Sequence, residues 1–410
     1  MKTYILKKYS LLLYVLLAFS PSILQAQISN TGTMHIISNT DVSMLNDVIN
    51  TTSGTITNNG NLHLHRSLTN NGVINYSDGI QTGVTLFKGV TQQNIEGSGT
   101  TWFYNVVVTN PDTDASVSLQ KEIQIYGTAN FTDGVIQELG NGLAVFQKGA
   151  NHSNTSDASF VDGKVHKVGN EAFVFPIGDE NSGTFLYRMA AISAPSNANT
   201  IFSGEYIWEN PDNTYSHANK EETIVNINAN EYWIIEPTNN NDFADVTLSW
   251  NVQTTPNTLM TDTSRLIIVR WNGTEWIDEG GVVNTATNTI TTRPSGYGVF
   301  TLAHKLNTVN TVGFPNSFSP NGDGINDTFV IPNLAVQYPN FIMTIYNRYG
   351  NVVYKLENNG SKSPAWWDGK SNGRLNVFES EVVPAATYWY VIDFNDGKRK
   401  PIQKWLYLNK

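Results

Sequence analysis

The sequence predicts an all-β protein: N-terminal parallel β-solenoid-like repeats, a middle antiparallel β-sandwich and a small C-terminal β-sandwich. Three observations carry this reading. Apolar residues alternate with polar ones along the chain and do not recur at the helical spacing of 3.6. Asn-Gly and other Gly-containing turns punctuate the short apolar runs. The polar remainder is weighted to Asn, Thr, Ser and Gly, with charged residues at 15% against a usual ~25%.

The 410 residues are enough for two to four domains at roughly 100–200 residues each. A formal charge of −10 argues against nucleic acid as a partner, because tracking phosphates needs an excess of Lys and Arg. Absence of cysteine removes disulfides, Cys-ligated zinc, thiol catalysis and lipoprotein anchoring together.

Residues 1–26 read as a signal peptide. Lys2, Lys7 and Lys8 form a positive region, Leu11 to Phe19 an apolar one, and Gln25-Ala26-Gln27 a small-residue cleavage site. The apolar run is far short of the ~20 residues that span a bilayer. No later stretch is long and apolar enough either, so no transmembrane helix is expected after cleavage.

Residues 27–157 form the solenoid-like region. Ile56-Thr57-Asn58-Asn59-Gly60 returns twelve residues later as Leu68-Thr69-Asn70-Asn71-Gly72, and Ile28 to Gly32 is a looser copy. Short strands between such turns suit a coil that stacks on itself; a meander of hairpins on the same Asn-Gly turns is the competing arrangement. Over 158–305 strands lengthen and aromatics rise, as in Glu231 to Ile235, Val246 to Trp250 and Leu266 to Trp271. Turn signals at this spacing predict a sandwich. Residues 306–311 read as a linker into a third block, 312–410.

That block carries four ordered motifs. Phe318-Ser319-Pro320-Asn321-Gly322-Asp323-Gly324-Ile325-Asn326-Asp327 opens it, followed by Tyr346-Asn347-Arg348-Tyr349-Gly350, then Trp367-Asp368-Gly369, then Thr387-Tyr388. This pattern resembles the gliding-motility-associated C-terminal domain, the type B sorting domain of the Bacteroidota type IX secretion system. The resemblance implies a small β-sandwich that brings a periplasmic passenger to the outer-membrane translocon and partner proteins there. It departs from the family at Ala386, where a Gly usually precedes the Thr-Tyr, and at Lys404, where a Gly usually precedes the last strand. More weakly, Gly163 to Asn170 with Phe173 to Gly178 is similar to a sandwich unit of Bacteroidota surface proteins. Phe87 to Gly97 is similar to the repetitive stalk that precedes it.

Candidate chemistry is sparse. Asp323, Asn326 and Asp327 are oxygen donors in a Gly-rich turn, the raw material of a calcium loop, but without EF-hand spacing or a terminal Glu; the same residues make turns. His63 and His65 share one strand face and await a third ligand such as His35. Asp112, Asp114, Asp242 and Asp245 offer loop carboxylates, yet no motif specifies a pair, and no nucleophile elbow, zinc helix or phosphate loop occurs. Tryptophans stack sugars where exposed and fill cores where buried. Trp233 and Trp250 sit at alternating positions that favour burial, whereas Trp271 and Trp276 flank a turn and are the candidates for stacking. The expectation is a secreted, non-catalytic cell-surface protein without catalytic residues or cofactor, used for adhesion or a motility-linked or structural role, with polysaccharide among its candidate ligands. The alternative is a carbohydrate-active enzyme with its site on the solenoid, which requires carboxylates clustered on one solenoid face.

Overall fold

The computed structural model describes residues 26–112, 116–239, 242–306, 312–372 and 382–409. The expected signal peptide lies outside the described residues except for Ala26, and the expected linker except for Leu306. The chain divides into two units, the first ending at Leu306 and the second beginning at Asn307.

The first unit opens as a parallel β-solenoid of about seven turns. Each of the first six coils gives one strand to each of three faces: Ile28–Asn30, Thr33–Ile36 and Asp41–Met44 in the first coil, then Val48–Asn50, Thr55–Asn58 and Asn61–Leu64 in the second. Every strand pairs in parallel with its counterpart above, which decides for the solenoid over a hairpin meander. Ile36, Ile56, Leu62, Leu64, Leu68 and Ile74 fill the interior, and Phe87, Phe103, Phe131 and Phe146 take over further up.

The coil period differs from the repeat visible in the sequence. Val48 pairs with Ile28 and with Leu68, so coils recur at 20 residues here. The two Asn-Asn-Gly segments spaced by twelve occupy different corners of the coil: Leu68 stacks on Val48, while Ile56 pairs with Ile74. The looser copy at Ile28 is the true structural equivalent of Leu68. What repeats through the first three coils is an inward asparagine. Asn30 donates its side-chain amide to Asn50 at 2.8 Å, and Asn50 donates to Asn70 at 2.8 Å. Asn70 then donates to the Thr101 hydroxyl at 2.8 Å. A buried amide must be satisfied, and each rung satisfies the next.

Solenoid and sandwich share strands. The boundary expected at 157/158 falls inside the ladder, because Val161–Asp162 and Val165–Val168 still pair in parallel with the coil before them. On its other side Val165–Val168 pairs antiparallel with Ile201–Ile207. The sheet then runs through Tyr232–Pro237, Gly298–Lys305, Leu266–Trp271 and Trp276–Gly280. A second sheet, Phe173–Phe175, Ala190–Ile192, Val246–Ser249, Thr289–Thr292 and Val282–Asn284, completes the sandwich. Phe175, Phe202, Trp233, Ile235, Leu248 and Phe300 are buried in one core with the solenoid interior.

Inside that core lies an ion pair. Arg188 donates to both carboxylate oxygens of Glu231 at 2.9 and 3.0 Å, with the two side chains 2% and 0% exposed. Tyr206, Asn228 and Thr255 donate to the same carboxylate, and Ser249 accepts from the guanidinium. A buried pair is tolerable only with such complete pairing.

Candidate functional site

The second unit is built on a five-stranded sheet in the order Ser317–Phe318, Ile402–Leu408, Ala386–Asp393, Ile342–Tyr346, Val352–Glu357. The first strand runs parallel to its neighbour and the rest are antiparallel. Ala386 takes the first position of its strand opposite Leu408, and Lys404 lies within the last strand opposite Tyr390. Both positions are extended strand, where a Cβ fits.

The motif residues divide by what they touch. Phe318, Trp367 and Tyr388 are core: the Trp367 ring lies 5.1 Å from Phe318 and 5.3 Å from Tyr388. Phe329 joins them, 6.0 Å from Phe318 and 5.0 Å from Tyr390. Trp367 also donates its indole N–H to the Lys370 carbonyl at 2.7 Å, and Tyr388 its hydroxyl to the Pro384 carbonyl at 2.8 Å. Gly369 has φ 82°, and a Cβ there would come within 2.9 Å of Pro320, so the first and third motifs close on each other.

Other motif residues make turns. Asn347 accepts from the main-chain N–H of Tyr349 and Asn351, Gly350 takes φ 81°, and Asp368 accepts from the Lys370 N–H. In the opening motif Gly322, Gly324 and Asn326 all have positive φ. Asp327 accepts from the main-chain N–H of Gly322 at 2.7 Å and of Gly324 at 2.8 Å. Asp323 accepts from Ile325 N–H and the Asn321 amide, and the Ile325 N–H first among these holds its carboxyl below the ordinary range. These carboxylates therefore order the backbone. Among the described residues no three His, Cys, Asp or Glu side chains converge as metal ligands.

The outward face of this sheet escaped the sequence reading. Trp389 stands opposite Trp405 and beside Tyr346, and Thr387 stands opposite Tyr407. Trp389, Trp405 and Tyr407 are each more than 40% exposed. Their alternation with Tyr388, Tyr390 and Leu406 was the available signal, since one phase of a strand faces out. Tyr349, beside Arg348 at 4.8 Å, is also exposed at the hairpin tip.

Residues 312–408 match the family model for the CHU_C Type IX secretion signal domain. This segment is a type IX secretion signal domain. The signal domain marks the protein for export by the type IX machinery to the cell surface or the medium, and the machinery is its partner. No curated protein and no solved structure matches the chain.

In the passenger the expected sites disperse. Trp276 is fully buried, which overturns its expected exposure: the segment around Tyr215 covers it and accepts its indole N–H at 2.9 Å. Ile224, Ile267, Val269, Val299 and Ala303 complete that outer cluster. Trp271 is half-buried, its ring 5.7 Å from Trp276 and 5.8 Å from Tyr215. Trp233 and Trp250 are buried as expected, while Trp102 is 40% exposed. His63 pairs with Asp41 at 3.2 Å on the third face, whereas His35 lies on the second.

Of the loop carboxylates, Asp242 accepts from Asn197 N–H, Ser196 and Thr200 at 2.8 Å each and is held well below the ordinary range, chiefly by that N–H. Asp245 pairs with Arg293 at 3.0 Å. Asp114 lies outside the described residues. An unforeseen group gathers where the solenoid meets the sandwich: Glu138, Asp162, Asp179 and Glu205, with Lys164 3.9 Å from Glu205. Burial pushes Glu138 up to about 8 and Asp162 up to about 6.

Proposed function

We propose that the protein is a non-catalytic cell-surface component. Its type IX signal domain delivers the solenoid–sandwich passenger to the exterior of the outer membrane, where the passenger acts in adhesion or as a structural or motility-linked element. The observation that carries this reading is a secretion signal joined to a solenoid–sandwich passenger whose carboxylates at Glu138 and Asp242 accept main-chain N–H groups and so hold backbone. A rigid ladder of coils suits display of a polar surface at a distance from the cell.

The acidic group at the solenoid end gives the hydrolase reading its one specific support, since glycosidases pair a raised carboxyl with a second carboxylate. Against it, both Glu138 oxygens are engaged by main-chain N–H groups, of Ala144 at 2.8 Å and Lys164 at 2.7 Å. Glu138 thereby fastens the corner at Gly163, where a Cβ would lie 2.7 Å from its carboxylate.

The test compares host cells making the full-length protein with cells making a chain that ends at Thr311. Surface protease accessibility, attachment to a solid support and sugar release from polysaccharide are measured in both. Full-length protein at the surface, attachment lost with the truncation, and no sugar release are expected. Equal surface exposure of the truncated chain overturns the delivery step. Sugar release that disappears with Asp162→Asn overturns the non-catalytic reading.

A further inference from the structure

The corner joining the first and second faces of the solenoid changes length from coil to coil. It has three residues in the fourth coil (97–99, between Gln93–Glu96 and Thr100–Phe103). It has two in the fifth (120–121) and four in the sixth (139–142). A short corner between two longer ones leaves a notch, and a cavity of about 670 Å³ fills it. That volume lies in the range of small-ligand sites, roughly 300–1,000 Å³.

The notch is rigidly built. Lys121 is buried at its base and donates to the carbonyls of Asn70 and Gly99, tying three coils together. Trp102 stands on the outward phase of its strand, in register with Gln124, and 40% of it is exposed. The Tyr126 ring meets Trp102 edge-on at 5.9 Å, and Tyr76 and Tyr104 extend the aromatic strip along the second face. Gln124 is fixed in turn, donating to Glu122 at 2.8 Å and accepting from the Tyr126 hydroxyl at 3.0 Å. Ser98, Thr100, Gln120 and Asn141 supply uncharged donors and acceptors around the rim.

We propose that this notch binds a neutral polysaccharide chain, with a pyranose ring on the Trp102 indole and its hydroxyls read by Gln120, Asn141, Ser98 and Thr100. The assignment rests on the non-catalytic surface reading and names its ligand class. A sugar ring presents an apolar C–H face and a rim of hydroxyls, which matches an exposed indole bordered by amides and hydroxyls. One ammonium and one carboxylate line the cavity, so it lacks the excess charge that a polyanion needs. The flanking strands of coils four to six are hydrogen-bonded on both sides, so no free edge is available to add a peptide strand. Glu122 is the one carboxylate in the lining, where hydrolysis calls for two.

The test titrates the chain from Gln27 to Lys410 with cellohexaose, xylohexaose and mannohexaose, with polygalacturonate as the polyanion and denatured gelatin as the peptide, by calorimetry. At least one neutral hexasaccharide should bind. Trp102→Ala should weaken that binding at least about tenfold, or ~1.4 kcal/mol, while the chain keeps a cooperative unfolding transition, because the side chain stands on the outward phase of its strand and not in the solenoid interior. Trp102→Phe should restore part of it, and Trp389→Ala should leave it intact. Failure of all three neutral sugars to bind, binding undiminished in Trp102→Ala, or binding of polygalacturonate or gelatin alone overturns the proposal. A Trp102→Ala protein that loses the sugar while its host cells still attach separates the two readings, leaving the surface role without this ligand. Cells that attach equally well without the protein, while the purified chain binds sugar, fail the surface role instead.

Discussion

At the residue scale, buried polar groups in the passenger hold backbone in place, and their titration should report it. Glu138 accepts two main-chain N–H groups, yet burial outweighs them and raises its carboxyl to about 8. In the unfolded chain the same carboxyl ionises near the ordinary glutamate value. Between those two pH values the folded state holds more protons, so the free energy of unfolding falls as pH rises. Stability from this group is complete below the ordinary range and lost as pH passes through about 8. Asp162, raised to about 6, acts in the same direction over a lower window. Each of these two groups therefore pulls the passenger's urea midpoint down as pH rises through its window. Glu138→Gln, which cannot ionise, should flatten the upper part of that slope; a variant with the parent's slope would show that Glu138 titrates normally.

At the scale of elements, the asparagine rungs explain which part of the solenoid the sequence showed and which it hid. Alternation and Asn-Gly turns were enough to read short strands, stacking coils and a change of texture into a sandwich. The coil period was not legible, because Asn-Asn-Gly serves two different corners and the eye pairs copies that the fold separates. Exposure at the hairpin of Trp271 and Trp276 was misread for a related reason: a turn is local, whereas the segment around Tyr215 that covers it comes from far away in sequence. The acidic group also went unseen, since Glu138, Asp162, Asp179 and Glu205 meet only through coil stacking and the antiparallel join. The opening motif of the signal domain was legible as a turn because its geometry is local. The ladder gives an element-scale prediction. Asn50 is fully buried and donates to Asn70, Gly54 and Val73 while accepting from Asn30. Asn50→Ala strands those partners and should destabilise the passenger by about 3 kcal/mol, read as a lowered urea midpoint. A loss no larger than that of an exposed control such as Asn46→Ala would mean that the ladder is not a stabilising element.

At the scale of the whole molecule, the two units own separate cores. The passenger's main core runs from Ile36 to Leu302, and that of the signal domain from Phe318 to Leu408. Trp367 lies at the centre of the second, fully buried, in ring contact with Phe318, Tyr354 and Tyr388 and bonded to the Lys370 carbonyl. Removing a buried Trp side chain costs about 3–5 kcal/mol, a large share of what a domain of this size possesses. Trp367→Ala should therefore unfold the signal domain and leave the passenger's own core formed. In the host, the variant should be retained inside the outer membrane, and its passenger should still resist proteolysis after cell lysis. Purified, it should keep the passenger's urea transition and lose that of the signal domain. Surface delivery of a protein whose signal domain is unfolded would show that the machinery reads a linear segment. Retention together with a proteolysed passenger would show that the two units do not fold independently. Retention with an intact passenger places recognition in the folded domain, and the exposed pair Trp389 and Trp405, with half-buried Tyr346 beside it, is then the surface to alter next.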